Sequence, residues 1–386
     1  MMSPEVMLFA GTRPEAIKIA PVVLAAAEAG LPTAVVAVEQ QPGMVEQGLA
    51  PFDLFSDFRL DLARVNGSLS ELCTLMMPAV DRLLAERTPA AVLVQGDTAT
   101  TLVCALAAFW RRIPVIHLEA GLRTGDLASP FPEEANRQLV SRIASLHLAP
   151  TPASARALLA EGVPAEVVEI TGNTVVDAAH HIAALDRPPR DAAIVRAAAA
   201  RGPLVLVTVH RRESWGQGIA NVLEAVRDVV REFPDAAVVL PVHPNPSVRA
   251  QVFLMLGDHP NVTITEPLDY PDLVWTLRRS ALVITDSGGI QEEAPTFRVP
   301  VLVVRETTER REAVEAGFAQ LVGTERRAVA AAARNILNGR SVQPLLANPF
   351  GAGDAAQRSV DAIGRLLGVA GRAAAGPDLE TAARSL

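Results

Sequence analysis

Val6–Lys18 reads VMLFAGTRPEAIK and decides the architecture of this chain. Its opening apolar run is typical of a strand buried on both faces of a sheet. Gly11 permits a tight turn, and Pro14 suits the first position of a helix. The free N–H groups of that helix start attract an anion, with Arg13 beside them and Lys18 one turn further on. Taken alone, the segment fits an anion site or an ordinary strand–helix turn.

The same pattern recurs along the chain in two series. Apolar runs alternate with helical stretches, which indicates parallel sheets covered by helices on both faces. The first series is Val6–Ala10, Thr33–Val38, Ala91–Gln95, Val115–Leu118, Leu146–Ala149 and Val167–Ile170. The second is Leu204–Val209, Ala237–Pro241, Val262–Thr265, Leu282–Thr285 and Val301–Val304. We therefore predict an α/β protein with two doubly wound, Rossmann-like domains.

The predicted domains are residues 1–172 and 173–353, with the seam near Gly172–Asp177 or in the Pro188–Pro189 region. A helix at about 354–368 is expected to pack back on the first domain, and the tail 369–386 to be loosely ordered. Ligands of open α/β sheets bind beyond the carboxyl ends of the strands. Two such domains predict a site in the cleft between them.

The composition argues against several classes of function. The 386 residues are 49% hydrophobic, an ordinary globular share, and the net charge of -8 argues against a nucleic-acid surface. Cys73 and Cys104 suit buried free thiols in a reducing compartment, and no Cys/His cluster has metal spacing. No run is long enough for a membrane span. We expect a cytoplasmic protein without a metal, a nucleic-acid partner or a membrane partner.

Three carboxylates stand where strands of the first series give way to loops and helices. Asp97 follows the third strand, Glu119 lies in a glycine-bounded loop after the fourth, and Glu133 opens a helix behind two prolines. Helix capping and dipole complementation explain Asp97 and Glu133 equally well when each is taken alone. As a group at the strand ends of one domain, the three carboxylates indicate a functional site.

The second series places groups that bind phosphate at its strand ends. His210 and Arg211 follow its first strand, where an imidazole can act at neutral pH and a guanidinium can meet a phosphate. His243 follows the next strand. A further strand ends in Ser287, Gly288 and Gly289 and opens a helix, a phosphate-binding pattern in which Glu293 would take ribose hydroxyls.

At this point the sequence resembles the non-hydrolysing UDP-N-acetylglucosamine 2-epimerases. The resemblance covers nearly the whole chain and is carried by GTRPEAIK, GDTATT, HLEAGLRTGD, PFPEEANR, TGNTVVDA, HRRES, PVHPNP, DSGGIQEEAP, RETTERREAVEAG and NPFGAGDAAQRS. It implies a glycosyltransferase-B-like pair of domains, most simply as a homodimer, and a reaction that needs no cofactor. In that reaction a base removes the proton at carbon 2 while UDP leaves carbon 1, and UDP then adds back with protonation on the opposite face.

The resemblance also implies roles for single residues. It makes Asp97, Glu119, Glu133 and His210 catalytic, without saying which carboxylate takes the first proton. It assigns Arg13, Lys18, His243, Ser287 and Glu293 to the active site or the nucleotide pocket. To these the phosphate-binding pattern adds Arg211, Gly288 and Gly289.

The chain departs from the family at a second, regulatory pocket. Gln40-Gln41-Pro42-Gly43 replaces a usual Gln-His-Arg, and Asn66 stands where an arginine is frequent. We expect intact catalysis and weakened regulation. Three other functions fit the same motifs: a hydrolysing 2-epimerase that releases N-acetylmannosamine, a glycosyltransferase of the same fold, and a non-catalytic UDP-sugar sensor.

Overall fold

The computed structural model describes residues 5–39, 43–210, 216–339 and 347–369. These fall into two compact units, one formed by the chain up to Ala178 together with the part from Phe350 onward, the other by Ala179–Pro349. Of the tail expected at 369–386, only Val369 lies within the described residues.

The first unit is built on a seven-stranded parallel sheet in the order β3-β2-β1-β4-β5-β6-β7. Its strands are β1 (Val6–Ala10), β2 (Thr33–Glu39), β3 (Phe58–Asp61), β4 (Ala91–Gln95), β5 (Val115–Leu118), β6 (Leu146–Ala149) and β7 (Val168–Ile170). Its helices are α1 (Arg13–Ala29), α2 (Met44–Leu49), α3 (Leu69–Arg87), α4 (Ala99–Trp110), α5 (Glu133–Ser141) and α6 (Pro152–Ala160). Both faces of β1 and β4 are fully buried, as their unbroken apolar sequences require.

The helix α7 (Thr174–Leu185) carries the chain across the boundary of the two units. The second unit has a six-stranded parallel sheet in the order β10-β9-β8-β11-β12-β13. Its strands are β8 (Leu204–Thr208), β9 (Ala237–Pro241), β10 (Val262–Thr265), β11 (Ser280–Thr285), β12 (Val301–Val303) and β13 (Ala319–Leu321). Its helices are α8 (Ala192–Ala198), α9 (Gln217–Glu232), α10 (Pro246–Leu256), α11 (Tyr270–Arg279), α12 (Gly288–Glu293), α13 (Arg311–Glu315) and α14 (Arg326–Leu337). A last helix, α15 (Ala355–Leu366), belongs to the first unit and packs on α1.

These two sheets confirm the predicted fold class. In each, the strand order reverses beside the first strand, between β1 and β4 and between β8 and β11. The carboxyl ends of strands at such a switch point are the usual place for a ligand in an open α/β sheet. Four of the polar segments singled out in the sequence follow β1, β4, β8 and β11, and those of Glu119 and His243 follow the neighbouring strands β5 and β9.

Candidate functional site

Glu15 anchors the loop after β1 to the start of α4. Its carboxylate accepts the N–H of Gly11 at 3.0 Å and the hydroxyls of Thr12 and Thr98, each at 2.7 Å. Thr12 caps α1 and Thr98 caps α4. Burial raises the pKa of Glu15, and these hydrogen bonds oppose that rise. Sequence reasoning missed this residue, although Thr12 with Glu15 three positions later is a capping-box pattern.

Glu119 is held by Lys18 and Gln95 at the carboxyl end of β5. Lys18 forms an ion pair with one carboxylate oxygen, to which the amide of Gln95 also donates at 2.7 Å. Both charged side chains are buried. The lysine expected in the nucleotide pocket therefore neutralises a candidate catalytic carboxylate.

The loop that carries Glu119 has little freedom. Glu119 itself adopts a φ of 65°, and Gly121 follows with a φ of 90°. A Cβ at Gly121 would lie 2.2 Å from the carbonyl oxygen of Ser154, so only glycine fits. The backbone that carries the Glu119 side chain is therefore restricted to one conformation.

Arg137 on α5 joins two carboxylates from different segments. Its guanidinium reaches Asp97 at 2.6 Å and Glu134 at 3.1 Å. Asn136 adds a hydrogen bond to the backbone carbonyl of Asp97 at 2.8 Å. Helix α5 therefore positions Asp97 by both side chain and backbone. The sequence did not single out Asn136 or Arg137, and the Glu–Arg spacing of three on one helix was the available signal.

Glu133 and Glu134 are adjacent but lie in different surroundings. Glu134 is fully buried, and burial would raise its pKa. Hydrogen bonds from the N–H of Thr124, Gln138 and Arg137 outweigh burial and hold the pKa of Glu134 below its usual range. The side chain of Glu133 is half-buried and makes no hydrogen bond or ion pair with any other residue that the structure describes. Of the acidic pair, Glu133 is the one available to a ligand.

His117, on β5, holds the backbone next to Asp97. Its Nε2 lies 2.8 Å from the carbonyl oxygen of Gly96, the residue before Asp97. A carbonyl only accepts, so Nε2 carries the proton. Burial lowers the pKa of His117 to about 4, and the nearby charges of Arg123 and Arg137 act in the same direction. His117 is therefore a neutral structural donor at physiological pH.

In the second unit, a buried aspartate contacts His210. Asp286 follows β11, accepts the backbone N–H of His210 at 2.8 Å, and has its other oxygen 3.3 Å from the Nδ1 of His210. The ring of His243 lies parallel to that of His210, with 6.1 Å between centroids. The backbone N–H of Asn245 donates to the Nδ1 of His243 at 3.1 Å. His210, which was expected to be catalytic, thus contacts a buried carboxylate and lies beside a second imidazole.

The serine–glycine–glycine segment opens α12 as expected, but Gly288 has a reason of its own to be glycine. A Cβ at Gly288 would lie 2.8 Å from the Cζ of Arg310, whereas one at Gly289 would meet only the Ser287 hydroxyl oxygen at 4.0 Å. Arg310 is itself fixed by Glu292 at 2.8 Å and by an ion pair with Glu309. Close approach to the protein, rather than to a ligand, already explains Gly288.

The remaining predicted residues are placed as follows. Arg13 is the first residue of α1 and half-buried, and Glu293 is buried near the end of α12. Arg211 and the departures at Gln40, Gln41 and Pro42 lie outside the described residues. Over the part of the chain that is described, no group of three or more His, Cys, Asp or Glu side chains is arranged to hold a metal. No helix in that same part is long and apolar enough to cross a bilayer.

Comparison with known proteins assigns the chain to a family. The family profile described as UDP-N-acetylglucosamine 2-epimerase matches residues 25–364. The chain belongs to this family.

Relatives in sequence and structure agree with that placement. The "Probable UDP-N-acetylglucosamine 2-epimerase" of Ralstonia nicotianae is 44% identical over 93% of this chain and 98% of its own. The UDP-GlcNAc 2-epimerase of Neisseria meningitidis, solved bound to UDP-GlcNAc, superposes with a TM-score of 0.86 at 37% identity, covering 94% of this chain and all of that one. The S. aureus MnaA–UDP structure gives 0.88 at 39% identity, covering 97% of this chain and 100% of that one.

Proposed function

We propose that this member of the 2-epimerase family interconverts UDP-N-acetylglucosamine and UDP-N-acetylmannosamine without hydrolysis. One observation carries the proposal: the three carboxylates of the first unit differ in their partners. Asp97 and Glu119 each face a cation, Arg137 and Lys18, whereas Glu133 faces none among the described residues. Such a set can remove a proton with one member and supply a proton with another.

The reaction follows from the weak acidity of the carbon-bound proton. A carboxylate takes the proton from carbon 2, the C–H electron pair forms the carbon 1–carbon 2 double bond, and the bond to UDP breaks with its electrons on the phosphate oxygen. That oxygen then adds back to carbon 1, and carbon 2 receives a proton on the opposite face. No hydride moves, so the chemistry calls for no nicotinamide.

The second unit supplies groups suited to the departing UDP. The start of α12 at Ser287–Gly289 offers backbone N–H groups, and Ser287 makes no side-chain capping bond there. His210 and His243 add nitrogen donors or acceptors. The relatives support this role, since the Neisseria protein was solved with UDP-GlcNAc and the S. aureus protein with UDP.

The decisive experiment is incubation with UDP-N-acetylglucosamine alone in deuterium oxide, followed by proton NMR. We expect UDP-N-acetylmannosamine that carries deuterium at carbon 2. Free N-acetylmannosamine with UDP would show a hydrolysing enzyme. A new UDP-sugar that keeps its original hydrogen would show an oxidation–reduction route. No product without an added acceptor would favour a glycosyltransferase or a sensor.

A further inference from the structure

We propose that Asp286 is a positioning residue that fixes the ring orientation and tautomer of His210. The inference rests on the proposed function only for its kinetic consequence. The predicted tautomer of His210 concerns the protein alone and can be tested by NMR whether or not the protein is an epimerase.

The carboxylate of Asp286 is held rigidly. Its side chain is fully buried, and its backbone N–H bonds to the carbonyl of Thr208 at 3.2 Å. The hydroxyls of Thr208 and Thr285 join the same two strand ends at 2.6 Å. Asp286 therefore lies on a frame made by β8 and β11, the strands on either side of the switch point of this sheet.

The two carboxylate oxygens of Asp286 contact different parts of His210. One accepts the backbone N–H of His210 at 2.8 Å, which fixes where the residue stands. The other lies 3.3 Å from Nδ1 of the ring, a charge contact that does not have hydrogen-bond geometry. Because a carboxylate accepts and does not donate, this contact favours the tautomer with its proton on Nδ1. Nε2 of His210, on a side chain that is 43% exposed, is left with its lone pair when the ring is neutral.

His243 has the opposite tautomer. Because the backbone N–H of Asn245 donates to its Nδ1, that nitrogen keeps its lone pair and the proton lies on Nε2. The two parallel rings therefore differ in chemistry, His210 offering a proton acceptor and His243 a proton donor. Asp286 and His243 are two titratable groups that face His210.

The test is Asp286→Asn in the full chain. The asparagine oxygen can still accept the backbone N–H of His210, and its amide group then points a donor at Nδ1. His210 would be forced into the Nε2–H tautomer with its shape unchanged. Nitrogen-15 NMR of labelled histidines reports the tautomer directly, at about pH 9 where free imidazole is neutral. The His210 signal is assigned among the seven histidines by its loss in His210→Gln.

We expect an Nδ1–H tautomer for His210 in the unaltered protein and an Nε2–H tautomer in D286N. Turnover should fall roughly a hundredfold or more, the scale of a lost acid–base group, with a smaller change in UDP affinity by calorimetry. The control Thr208→Val removes a buried hydroxyl bond from the same frame and should leave the His210 tautomer as it was.

The outcomes separate the two proposals. An Nε2–H tautomer in the unaltered protein overturns the inference even if D286N fails to fold. An unchanged tautomer in D286N does the same. A switched tautomer with unchanged turnover removes the kinetic role of Asp286. If the unaltered protein shows no epimerase activity, the proposed function fails while the tautomer result still decides the role of Asp286.

Discussion

At the scale of single residues, proton transfer depends on how Asp97, Glu119 and Glu133 are partnered. Replacing each by its amide keeps the shape and removes a proton acceptor. Turnover should therefore fall roughly a hundredfold or more in Asp97→Asn, Glu119→Gln and Glu133→Gln, with a much smaller change in KM. Steady-state kinetics with UDP-N-acetylglucosamine measures both. Asp126→Asn, an exposed carboxylate in the loop before α5, is the matched control and should keep normal turnover. Normal turnover in all three amide variants would show that the site lies elsewhere.

The residues that sequence reasoning missed share one property. Arg137 meets Asp97 across 40 positions of sequence, and Thr98 meets Glu15 across 83. Local patterns reveal a strand end, a cap or a glycine turn, because each of these is decided by near neighbours. Which charged side chain will neutralise a given carboxylate depends on how distant segments pack. The positions of the candidate acids at the ends of strands could therefore be predicted, and most of the residues that hold them could not.

At the scale of elements, the start of α12 tests the phosphate-binding proposal cleanly. Gly289→Ala places a methyl group where the protein leaves room, so a loss of UDP affinity would report the approach of a ligand. We expect calorimetry to show at least about a tenfold loss with the unfolding temperature retained. Gly288→Ala should weaken binding and stability together, because its methyl group would displace the Arg310 guanidinium. Unchanged UDP affinity in Gly289→Ala would remove this segment from the nucleotide pocket.

Strands β5 and β6 carry a pair of histidines that should make the fold sensitive to acid. Burial lowers the pKa of His117 to about 4 and that of His147 to about 3. The unfolded chain takes up their protons as the pH falls below about 6.5, whereas the folded chain does so only near those lower values. Stability is thus complete above that window and is lost as the pH falls through it, by about 2 kcal/mol per histidine at about pH 5.

Asp177 offsets part of this loss. Burial raises its pKa to about 6, so its contribution to stability is present at low pH and is lost as the pH rises through that value. Two histidines outweigh one aspartate, so urea unfolding should show a less stable protein at about pH 5 than at about pH 7. His147→Phe keeps a ring and removes one titration, and it should shrink the difference. An equal difference in this variant would contradict the assignment.

The strands show which elements a sequence can predict. Apolar strands such as β4 and β9 were predicted to the residue, because burial on both faces leaves an unbroken hydrophobic run. The edge strands β3 and β13 were not predicted. In β3, partly buried and exposed residues alternate along four positions, and β13 exposes two of its three residues. A short edge strand is held by hydrogen bonds to its one neighbouring strand. It can therefore form without the run of hydrophobic residues that would reveal it in the sequence.

At the scale of the whole molecule, the departures from the family predict weak activation by UDP-N-acetylglucosamine. Asn66 brings no cation, and its side-chain oxygen already accepts the N–H of Ser68 at 2.8 Å. Each lost charge-assisted bond to a diphosphate removes about 1.5–3 kcal/mol. Provided that the protein is the epimerase proposed above, the reverse reaction from UDP-N-acetylmannosamine alone should start without delay and follow a hyperbolic curve. A lag abolished by a trace of UDP-N-acetylglucosamine would show that regulation survives.

The return of α15 to the first unit has a consequence for biosynthesis. The backbone N–H of Asn173 bonds to the carbonyl of Phe350 at 2.8 Å, and a Cβ at Gly172 would lie 3.3 Å from that of Ala355. Residues Ala179–Pro349 are therefore synthesised before the helix that covers α1. Although domains usually fold in the order of their synthesis, here the later unit is complete first. A released chain that ended at Pro349 would contain the whole second unit and a first unit that still exposes the α1 face.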